Sequence, residues 1–331
     1  MIVTRSACRT DPGRKRRRNE DAYVCEPPLF AVADGMGGAQ AGEVASQLAA
    51  GALKEGNGAG SGEQRVVDLI QEANRRVWQR ANEDAAASGM GTTITVALVE
   101  SGRVLIGHVG DSRAYRLREG ALEQLTDDHS LVAELVRRGE LSPEEAETHP
   151  QRSVITRALG TDPDVDVDSF EVEAREGDLF LICSDGLSSM VDHATMEELL
   201  DGNRGDLDAA AKALLQAANR GGGEDNITAV LFEVGAGEAT DGDTVPMQAV
   251  SEPEPAPDPD EEDTLSGIEG VPAVKAPPAV DTMVVPPEEA AQLRAAAEPS
   301  KPSLARRALA LLVIVTLILV IAALVLWGLA R

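Results

Sequence analysis

The stretch Leu29-Phe30-Ala31-Val32-Ala33-Asp34-Gly35 is an apolar run that leads directly into an aspartate and a glycine. A short, continuous apolar run is typical of a buried β-strand, and the Asp-Gly pair marks its end. The same pattern returns at residues 179–186, where Leu-Phe-Leu-Ile-Cys-Ser precedes Asp185 and Gly186. An isolated Asp-Gly pair is usually only a turn. The repetition therefore indicates two carboxylates, each at the end of a strand.

Three further acidic segments accompany these two. They are Arg16-Arg17-Arg18-Asn19-Glu20-Asp21, Gly110-Asp111-Ser112-Arg113 and Asp225-Asn226. Mg²⁺ and Mn²⁺ prefer carboxylate, carbonyl and water oxygens as ligands. Carboxylates that gather at strand ends would form such an oxygen site, so the sequence predicts a centre for divalent metal ions.

Strand and helix patterns alternate through residues 1–234. Runs rich in β-branched and apolar residues predict strands at residues 2–8, 22–25, 29–33, 92–99, 103–109, 114–118, 178–184 and 226–234. Apolar residues at helical spacing predict helices at residues 43–54, 64–87, 130–139, 143–147, 194–200 and 207–220. Short turns such as Ser101-Gly102 and Glu119-Gly120 favour antiparallel hairpins. We therefore predict an α+β fold in which helices cover a sandwich of two mostly antiparallel sheets.

Composition restricts the classes of function. The chain has 331 residues and a formal net charge of −26, which argues against nucleic acid as a partner. Its three cysteines, Cys8, Cys25 and Cys183, lack CxxC spacing and cannot assemble a zinc cluster. We expect them to be small core residues in a reducing compartment, with a reactive thiol as the alternative.

Residues 235–303 differ in composition from everything before them. They contain no aromatic residue, twelve of the eighteen prolines, and fifteen acidic residues against three basic ones. Low hydrophobicity combined with high net charge cannot build a core and is typical of disorder. The sequence thus predicts a domain at residues 1–234, followed by an acidic, proline-rich disordered linker.

The last segment, residues 304–331, is predicted to be a transmembrane anchor. Residues 308–330 form an uncharged, apolar run of 23 residues, long enough to cross a hydrocarbon core about 30 Å thick. A buried core helix is the alternative. Lys301, Arg306 and Arg307 precede the run and Arg331 follows it, so the positive-inside rule predicts a cytoplasmic catalytic domain on a single-pass membrane protein. No apolar run opens residues 1–11, so no signal peptide is expected.

Taken in order, the acidic segments resemble those of the metal-dependent protein phosphatases of type 2C, the PPM family, in its bacterial form. The resemblance covers nearly all of residues 1–234. It extends through further matching segments, which are Thr10-Asp11, Gly91-Thr92-Thr93, Leu125-Thr126-Asp127-Asp128-His129-Ser130, His149-Pro150, Arg157-Ala158-Leu159-Gly160 and Asp225-Asn226-Ile227-Thr228. It implies a monomeric catalytic domain with helices on both outer faces of the sandwich.

The resemblance also implies roles for individual residues. Asp34 would bridge two tightly bound Mg²⁺ or Mn²⁺ ions, the carbonyl of Gly35 would ligate one, and Asp185 and Asp225 would complete the other. Glu20 and Asp21 would hold metal-bound water, although a solvated turn is the alternative for this pair. Asp111 would join Asp185 at a third, weaker metal site, with a structural Asx turn as the alternative at Asp111. Arg16 would be the guanidinium that binds the substrate phosphate.

One position departs from part of the family. Some members carry a histidine where this chain has Met36, and that histidine has been proposed to protonate the leaving oxygen. Methionine has no proton to donate. Bacterial members commonly have methionine here, so the substitution does not predict loss of activity. His129 and His149 are candidate substitutes, with a structural role as the alternative for each.

The resemblance predicts a protein serine/threonine phosphatase that hydrolyses phosphoserine and phosphothreonine monoesters and opposes serine/threonine kinases. Hydroxide bound between two metal ions would attack phosphorus directly, without a covalent intermediate. The expected partners are phosphoproteins, their kinases and, through the C-terminal helix, the membrane. The alternative is a catalytically silent sensor that binds phosphoproteins on the same fold.

Overall fold

The structure, a computed structural model, describes residues 1–37, 41–56, 61–83, 87, 89–236 and 283–284. They belong to one unit that spans Met1–Val285. The strands among them are β1 (Ile2–Asp11), β2 (Asp21–Glu26), β3 (Leu29–Met36), β4 (Gly91–Thr92), β5 (Ile94–Glu100), β6 (Arg103–Val109), β7 (Arg113–Arg118), β8 (Ala121–Gln124), β9 (Val154–Ile155), β10 (Asp168–Glu173), β11 (Leu179–Cys183), β12 (Ile227–Gly235) and β13 (Met283–Val284). The helices are α1 (Ala41–Glu55), α2 (Glu63–Glu83), α3 (Leu131–Arg137), α4 (Pro143–Glu147), α5 (Asp185–Ser188), α6 (His193–Gly202) and α7 (Leu207–Gly221).

Two antiparallel sheets form the centre of this unit. A five-stranded sheet has the order β1-β12-β11-β7-β8. A six-stranded sheet has the order β10-β6-β5-β3-β2, and its sixth strand, β4, pairs with β3 outside this order. Every pairing along these two paths is antiparallel. The predicted hairpin turn between β5 and β6 is present, with Ser101 and Gly102 at φ values of 52° and 82°. Left-handed backbone at both central positions matches the twist of the flanking strands.

Strand alternation divides the core into three layers. Phe30 and Val32 of β3 lie in the layer between the two sheets. There Phe30 stacks on Phe232 of the other sheet, with ring centroids 4.2 Å apart. The intervening residues Ala31 and Ala33 belong to the layer that the six-stranded sheet forms with α1 and α2. A third layer joins the five-stranded sheet to α6 and α7. Helices therefore cover both outer faces, as predicted.

The predicted fold class is confirmed, while several elements differ from the sequence prediction. The predicted strand at residues 92–99 is divided at Thr93 into β4 and β5. Strand β10 was not predicted, because its sequence Asp-Ser-Phe-Glu-Val-Glu has only two large apolar residues and four polar ones. It occupies an edge of its sheet, where one face and one backbone edge meet solvent and polar residues are tolerated.

The predicted anchor at residues 304–331 lies outside the described residues, as does nearly all of the predicted linker. Two linker residues, Met283 and Val284, form β13 and pair in parallel with β9. No helix in the described ranges combines the length and the apolar character needed to cross a membrane.

Candidate metal centre

The β2–β3 hairpin brings two of the predicted carboxylates together. Asp21 and Asp34 are direct partners in its register. Asp34 was expected just beyond the strand but lies within it, because β3 continues and pairs with β4 through Gly35 and Met36. The carbonyl of Asp34 accepts hydrogen bonds from the amide of Thr93, at 2.9 Å, and from the hydroxyl of Thr92, at 2.8 Å. The backbone that carries Asp34 is therefore fixed by the junction between β4 and β5.

Asp185 and Asp225 reach the same place from the five-stranded sheet. Asp185 opens α5 directly after β11, so it lies on the first turn of a short helix rather than on a strand end. Asp225 precedes β12, and its Oδ1 accepts the amide of Asn226 at 2.8 Å. The charge of Asp185 contributes to the raised pKa of Asp34, so the two carboxylates act on each other directly. The two sheets thus each contribute two of the four carboxylates.

Asp21 is held across the sandwich by two hydroxyl groups. Its Oδ2 accepts hydrogen bonds from Ser184, at 2.8 Å, and from Thr228, at 2.6 Å. Ser184 and Thr228 also bond to each other through the Thr228 amide and the Ser184 hydroxyl, at 3.0 Å. Sequence analysis did not assign a role to either residue. Their positions beside Asp185 and Asp225 were the available signal.

Burial and the neighbouring charges raise the pKa values of Asp21, Asp34 and Asp185. Burial, followed by the charges of Asp185 and Asp225, raises the pKa of Asp21 to about 7. Burial, followed by the charge of Asp225, raises the pKa of Asp185 to about 6. The pKa of Asp34 is also raised, by burial first and then by the neighbouring carboxylates. Such crowding favours protonation unless a positive charge enters the cluster.

The donor atoms of this cluster fit a hard cation. Asp21 Oδ1, Asp111 Oδ1 and Asp185 Oδ1 are buried and have no hydrogen-bond partner, although buried polar atoms are normally paired. Among the described residues, no group of three or more His, Cys, Asp or Glu side chains is close enough together to hold a metal ion by itself. The expected ligand set also includes the Gly35 carbonyl and water molecules, as is usual for Mg²⁺.

Close backbone packing explains why the position after Asp34 is a glycine. A Cβ atom on Gly35 would lie 2.1 Å from the Gly42 carbonyl oxygen and 2.5 Å from that of Glu20. Gly42, in the first turn of α1, is equally confined, because its Cβ would lie 2.5 Å from Glu20 Oε2 and 2.8 Å from Gly35 C. Sequence analysis missed Gly42. Two glycines are needed here because three backbone segments meet.

Three hydrogen bonds hold the main chain of Glu20 in place. Its amide donates to Asn226 Oδ1 at 2.7 Å, and its carbonyl accepts the Gly35 amide at 3.2 Å and the Ser46 hydroxyl at 2.5 Å. Asn226 also donates from Nδ2 to the carbonyls of Pro12 and Arg18. Asn226 therefore fixes the whole loop between β1 and β2, including Arg16.

Arg16 lies at the carboxylate cluster, as predicted. Its Nη2 donates to Asp225 Oδ2 at 2.9 Å, and both side chains are about three-quarters buried, at 24% exposure each. The loop that carries it is tied to the segment between α7 and β12, because the amides of Arg14 and Lys15 both donate to the Gly223 carbonyl. The predicted phosphate-binding cation and a predicted metal ligand are therefore neighbours.

Asp111 lies at the edge of the cluster, beside a cleft of about 870 Å³ that both Asp111 and Asp185 line. The residue is only 8% exposed. Burial, followed by the charge of Asp185, raises its pKa. Gly110 before it has a φ of +116°, and a Cβ there would lie 2.5 Å from the Thr93 side chain. The turn that presents Asp111 thus requires a glycine.

Met36 and the two candidate proton donors, His129 and His149, are held by structural contacts. Met36 is buried against Ile155 and Ala158. His129 is 3% exposed, and both ring nitrogens have partners, Gly110 N at 3.0 Å and Asp168 Oδ2 at 3.1 Å. His149 accepts the Gln151 amide on Nδ1 at 3.2 Å. The contacts of both histidines therefore favour the structural alternative.

Comparison with known proteins agrees with this arrangement. The family model described as Protein phosphatase 2C matches residues 14–253. The serine/threonine phosphatase stp of Listeria innocua is 44% identical over 237 residues, covering 68% of this chain and 94% of that protein. The solved serine/threonine phosphatase PstP/Ppp of Mycobacterium tuberculosis is 40% identical, with a TM-score of 0.67 and coverage of 71% of this chain and 100% of that one. A PstP catalytic domain solved with 2 manganese ions is 38% identical, with a TM-score of 0.64 and the same coverage.

Proposed function

Because the chain belongs to the protein phosphatase 2C family, we propose that it is a metal-dependent protein serine/threonine phosphatase. Its substrates would be phosphoserine and phosphothreonine monoesters in proteins, so it would oppose serine/threonine kinases. The observation that carries the proposal is the cluster of Asp21, Asp34, Asp185 and Asp225, whose charges act on one another. Arg16 is bonded to Asp225 at its edge.

The residues that would hold two Mg²⁺ or Mn²⁺ ions are Asp34, Asp185, Asp225 and, through its carbonyl, Gly35. Glu20 and Asp21 would hold water beside them. When bound, the two ions would supply Lewis-acid activation of a water molecule as the nucleophile. The unpaired buried oxygens of Asp21 and Asp185 support this assignment, since a cation would satisfy them.

Asp111 would hold a third, weaker ion together with Asp185. Its Oδ1 is buried without a partner, and the Asp185 charge contributes to its raised pKa. Both observations support a cation between the two carboxylates rather than an Asx turn alone. Asp111 and Asp185 both line the cleft, from which a peptide substrate would approach this third site.

Arg16 would bind the substrate phosphate. A guanidinium has five N–H donors in a planar fork, so the bond to Asp225 is compatible with further bonds to two phosphate oxygens. The same charge would stabilise the developing negative charge on the phosphoryl oxygens. Met36 has no proton to give, and His129 has both ring nitrogens engaged. The leaving oxygen would therefore take its proton from water in the site.

We also propose that residues 304–331 tether the domain to the membrane, with the catalytic domain in the cytoplasm. The support is the uncharged run at residues 308–330 and the three basic residues shortly before it. A linker rich in proline and acidic residues would extend away from the bilayer. The domain would then meet phosphoproteins and kinases at the membrane surface.

The test is phosphate release from a phosphothreonine peptide by the full chain, in Mn²⁺ and in EDTA. We expect release in Mn²⁺ alone, and its loss in Asp34→Ala, because that change removes a ligand and not core packing. Asp201→Ala is the matched control, since Asp201 is an exposed carboxylate on α6. Metal-independent release, or an active Asp34→Ala variant, would contradict the proposed chemistry. Phosphopeptide binding without release would instead support the silent sensor.

A further inference from the structure

We propose that His129, oriented by Asp168, is a positioning residue that fixes the Gly110-Asp111 turn and so sets the affinity of the Asp111 metal site. Asp168 lies on the edge strand β10, and Gly110 lies in the turn after β6, the strand with which β10 pairs. The inference rests on the proposed function only where it concerns metal at Asp111. The geometry of the turn can be tested on its own.

Two hydrogen bonds join His129 to a single residue. The His129 amide donates to the Gly110 carbonyl at 2.7 Å, and the Gly110 amide donates to His129 Nδ1 at 3.0 Å. The backbone amide of Gly110 is therefore bonded to the His129 ring, and the backbone carbonyl of Gly110 is bonded to the His129 amide. Since Asp111 is the next residue, the direction of its carboxylate depends on this contact.

The hydrogen bonds also determine the imidazole tautomer. A backbone amide can only donate, so Nδ1 must be the unprotonated nitrogen and Nε2 must carry the hydrogen. Nε2 then donates to Asp168 Oδ2 at 3.1 Å. Arg157 Nη1 also lies 3.0 Å from Nε2. A guanidinium has no acceptor for the Nε2 hydrogen, so Arg157 Nη1 donates instead to Asp168 Oδ1 at 2.5 Å and to the Asp166 carbonyl at 3.1 Å. Asp168 thus selects the tautomer that Gly110 needs.

The ring itself has little freedom to move. It lies against His108, with ring centroids 4.7 Å apart. The His129 carbonyl accepts the Thr156 amide at 2.8 Å. Thr156 directly follows β9, whose Ile155 packs on Met36. The same histidine therefore links the Asp111 turn to the segment that lies against the end of β3.

A metal-free measurement tests the geometry directly. Amide hydrogen exchange at Gly110 should speed up by about tenfold or more in His129→Ala, since the acceptor for that amide is gone. His129→Asn should retain most of the protection, because Asn Oδ1 takes the place of His Nδ1. His193→Ala, an exposed histidine on α6, is the control and should leave Gly110 unchanged. Equal exchange in wild type and His129→Ala would overturn the proposal.

The link to the metal site is tested by a double-mutant cycle with Asp111→Asn. Loss of a group that orients a metal ligand typically weakens metal affinity about 10- to 100-fold. We expect His129→Ala to raise the Mn²⁺ concentration for half-maximal activity by about tenfold, and to do so by less than about twofold in the Asp111→Asn background. Equal factors in both backgrounds would show that His129 does not act through Asp111.

A second variant keeps the test decisive. If His129→Ala does not fold, Asp168→Ala takes its place, because the Asp168 side chain is 44% exposed and its loss should leave the core intact. Its effect should be smaller, in the same direction, and absent with Asp111→Asn.

A second measurement separates the inference from the proposed function. If wild-type protein releases no phosphate, the proposed function fails. Mn²⁺ calorimetry on the four proteins of the cycle, which are wild type, His129→Ala, Asp111→Asn and the double variant, then decides the inference. The weakest binding event should then weaken in His129→Ala only where Asp111 is present.

Discussion

Replacing Asp185 by asparagine should stabilise the metal-free protein while it abolishes activity. Burial and the neighbouring Asp225 raise the Asp185 pKa from its ordinary 3.8 to about 6. A change of one in pKa corresponds to about 1.36 kcal/mol. Keeping the Asp185 carboxylate ionised therefore destabilises the metal-free folded protein by about 3 kcal/mol. This is an upper bound, because water screens a partly exposed carboxylate. The introduced amide would have no charge and would offer two N–H donors to its acidic neighbours.

The pH dependence has a definite sign. The folded-state pKa lies above the unfolded-state value, so the folded protein binds the extra proton and its stability falls as the pH rises from about 4 to about 6. The advantage of Asp185→Asn should therefore be absent below about pH 4 and complete above about pH 7. Urea unfolding in EDTA at pH 5 and pH 8, followed by circular dichroism, measures the difference.

Added Mn²⁺ should reverse the order of stability. A ligand at 1,000 times its Kd stabilises the folded state by about 4.1 kcal/mol, which exceeds the advantage of about 3 kcal/mol, and only the wild type would gain the full amount. Asp201→Asn is the control, because Asp201 is 54% exposed in its pair with Arg204 and should change stability by less than about 0.5 kcal/mol. A less stable Asp185→Asn variant at pH 8 in EDTA would refute the reasoning.

Three other changes have direct expectations. Arg16→Ala should lower kcat/KM for a phosphopeptide by about tenfold or more while Mn²⁺ binding by calorimetry stays near the wild-type value, and unchanged kinetics would move phosphate binding to another cation. Gly42→Ala should destabilise the protein by about 1–3 kcal/mol in urea unfolding, because the added Cβ would lie 2.8 Å from backbone. Gly51→Ala in the same helix is the control and should stabilise the protein by up to about 1 kcal/mol, because nothing lies within 4 Å of its Cβ. Equal effects of the two changes would contradict the close packing at Gly42. Deletion of residues 304–331 should move the protein from the membrane to the soluble fraction with unchanged peptide activity, and a truncated protein that still sediments with membranes would rule out the anchor.

Local pattern was sufficient to predict much of the fold and part of the site. The apolar runs before Asp34 and Asp185 predicted two central strands, and both are present as β3 and β11. The alternation along β3 also explains why Phe30 faces the other sheet while Ala31 faces the helices. Successive side chains of a strand point to opposite faces of the sheet. The residues that share a face can therefore be read from the strand's own sequence, without knowledge of the rest of the chain.

Edge strands and supporting contacts could not be predicted in this way. β10 has a mostly polar sequence, so no hydrophobic signal marks it, yet it supplies Asp168 to His129. Gly42 directly precedes the helix predicted at residues 43–54, and nothing in its local sequence indicates that it packs against Gly35 and Glu20. Their roles depend on neighbours that no local pattern identifies.

By itself, the sequence determined the carboxylates, the strands that present them and the family to which the chain is similar. Tertiary structure alone decided what each carboxylate contacts. Asp21 is bonded to Ser184 and Thr228, which lie 163 and 207 residues further along the chain. The physical reason is that hydrophobic periodicity fixes which face of an element is buried, while closure of the two sheets on each other fixes what that face meets.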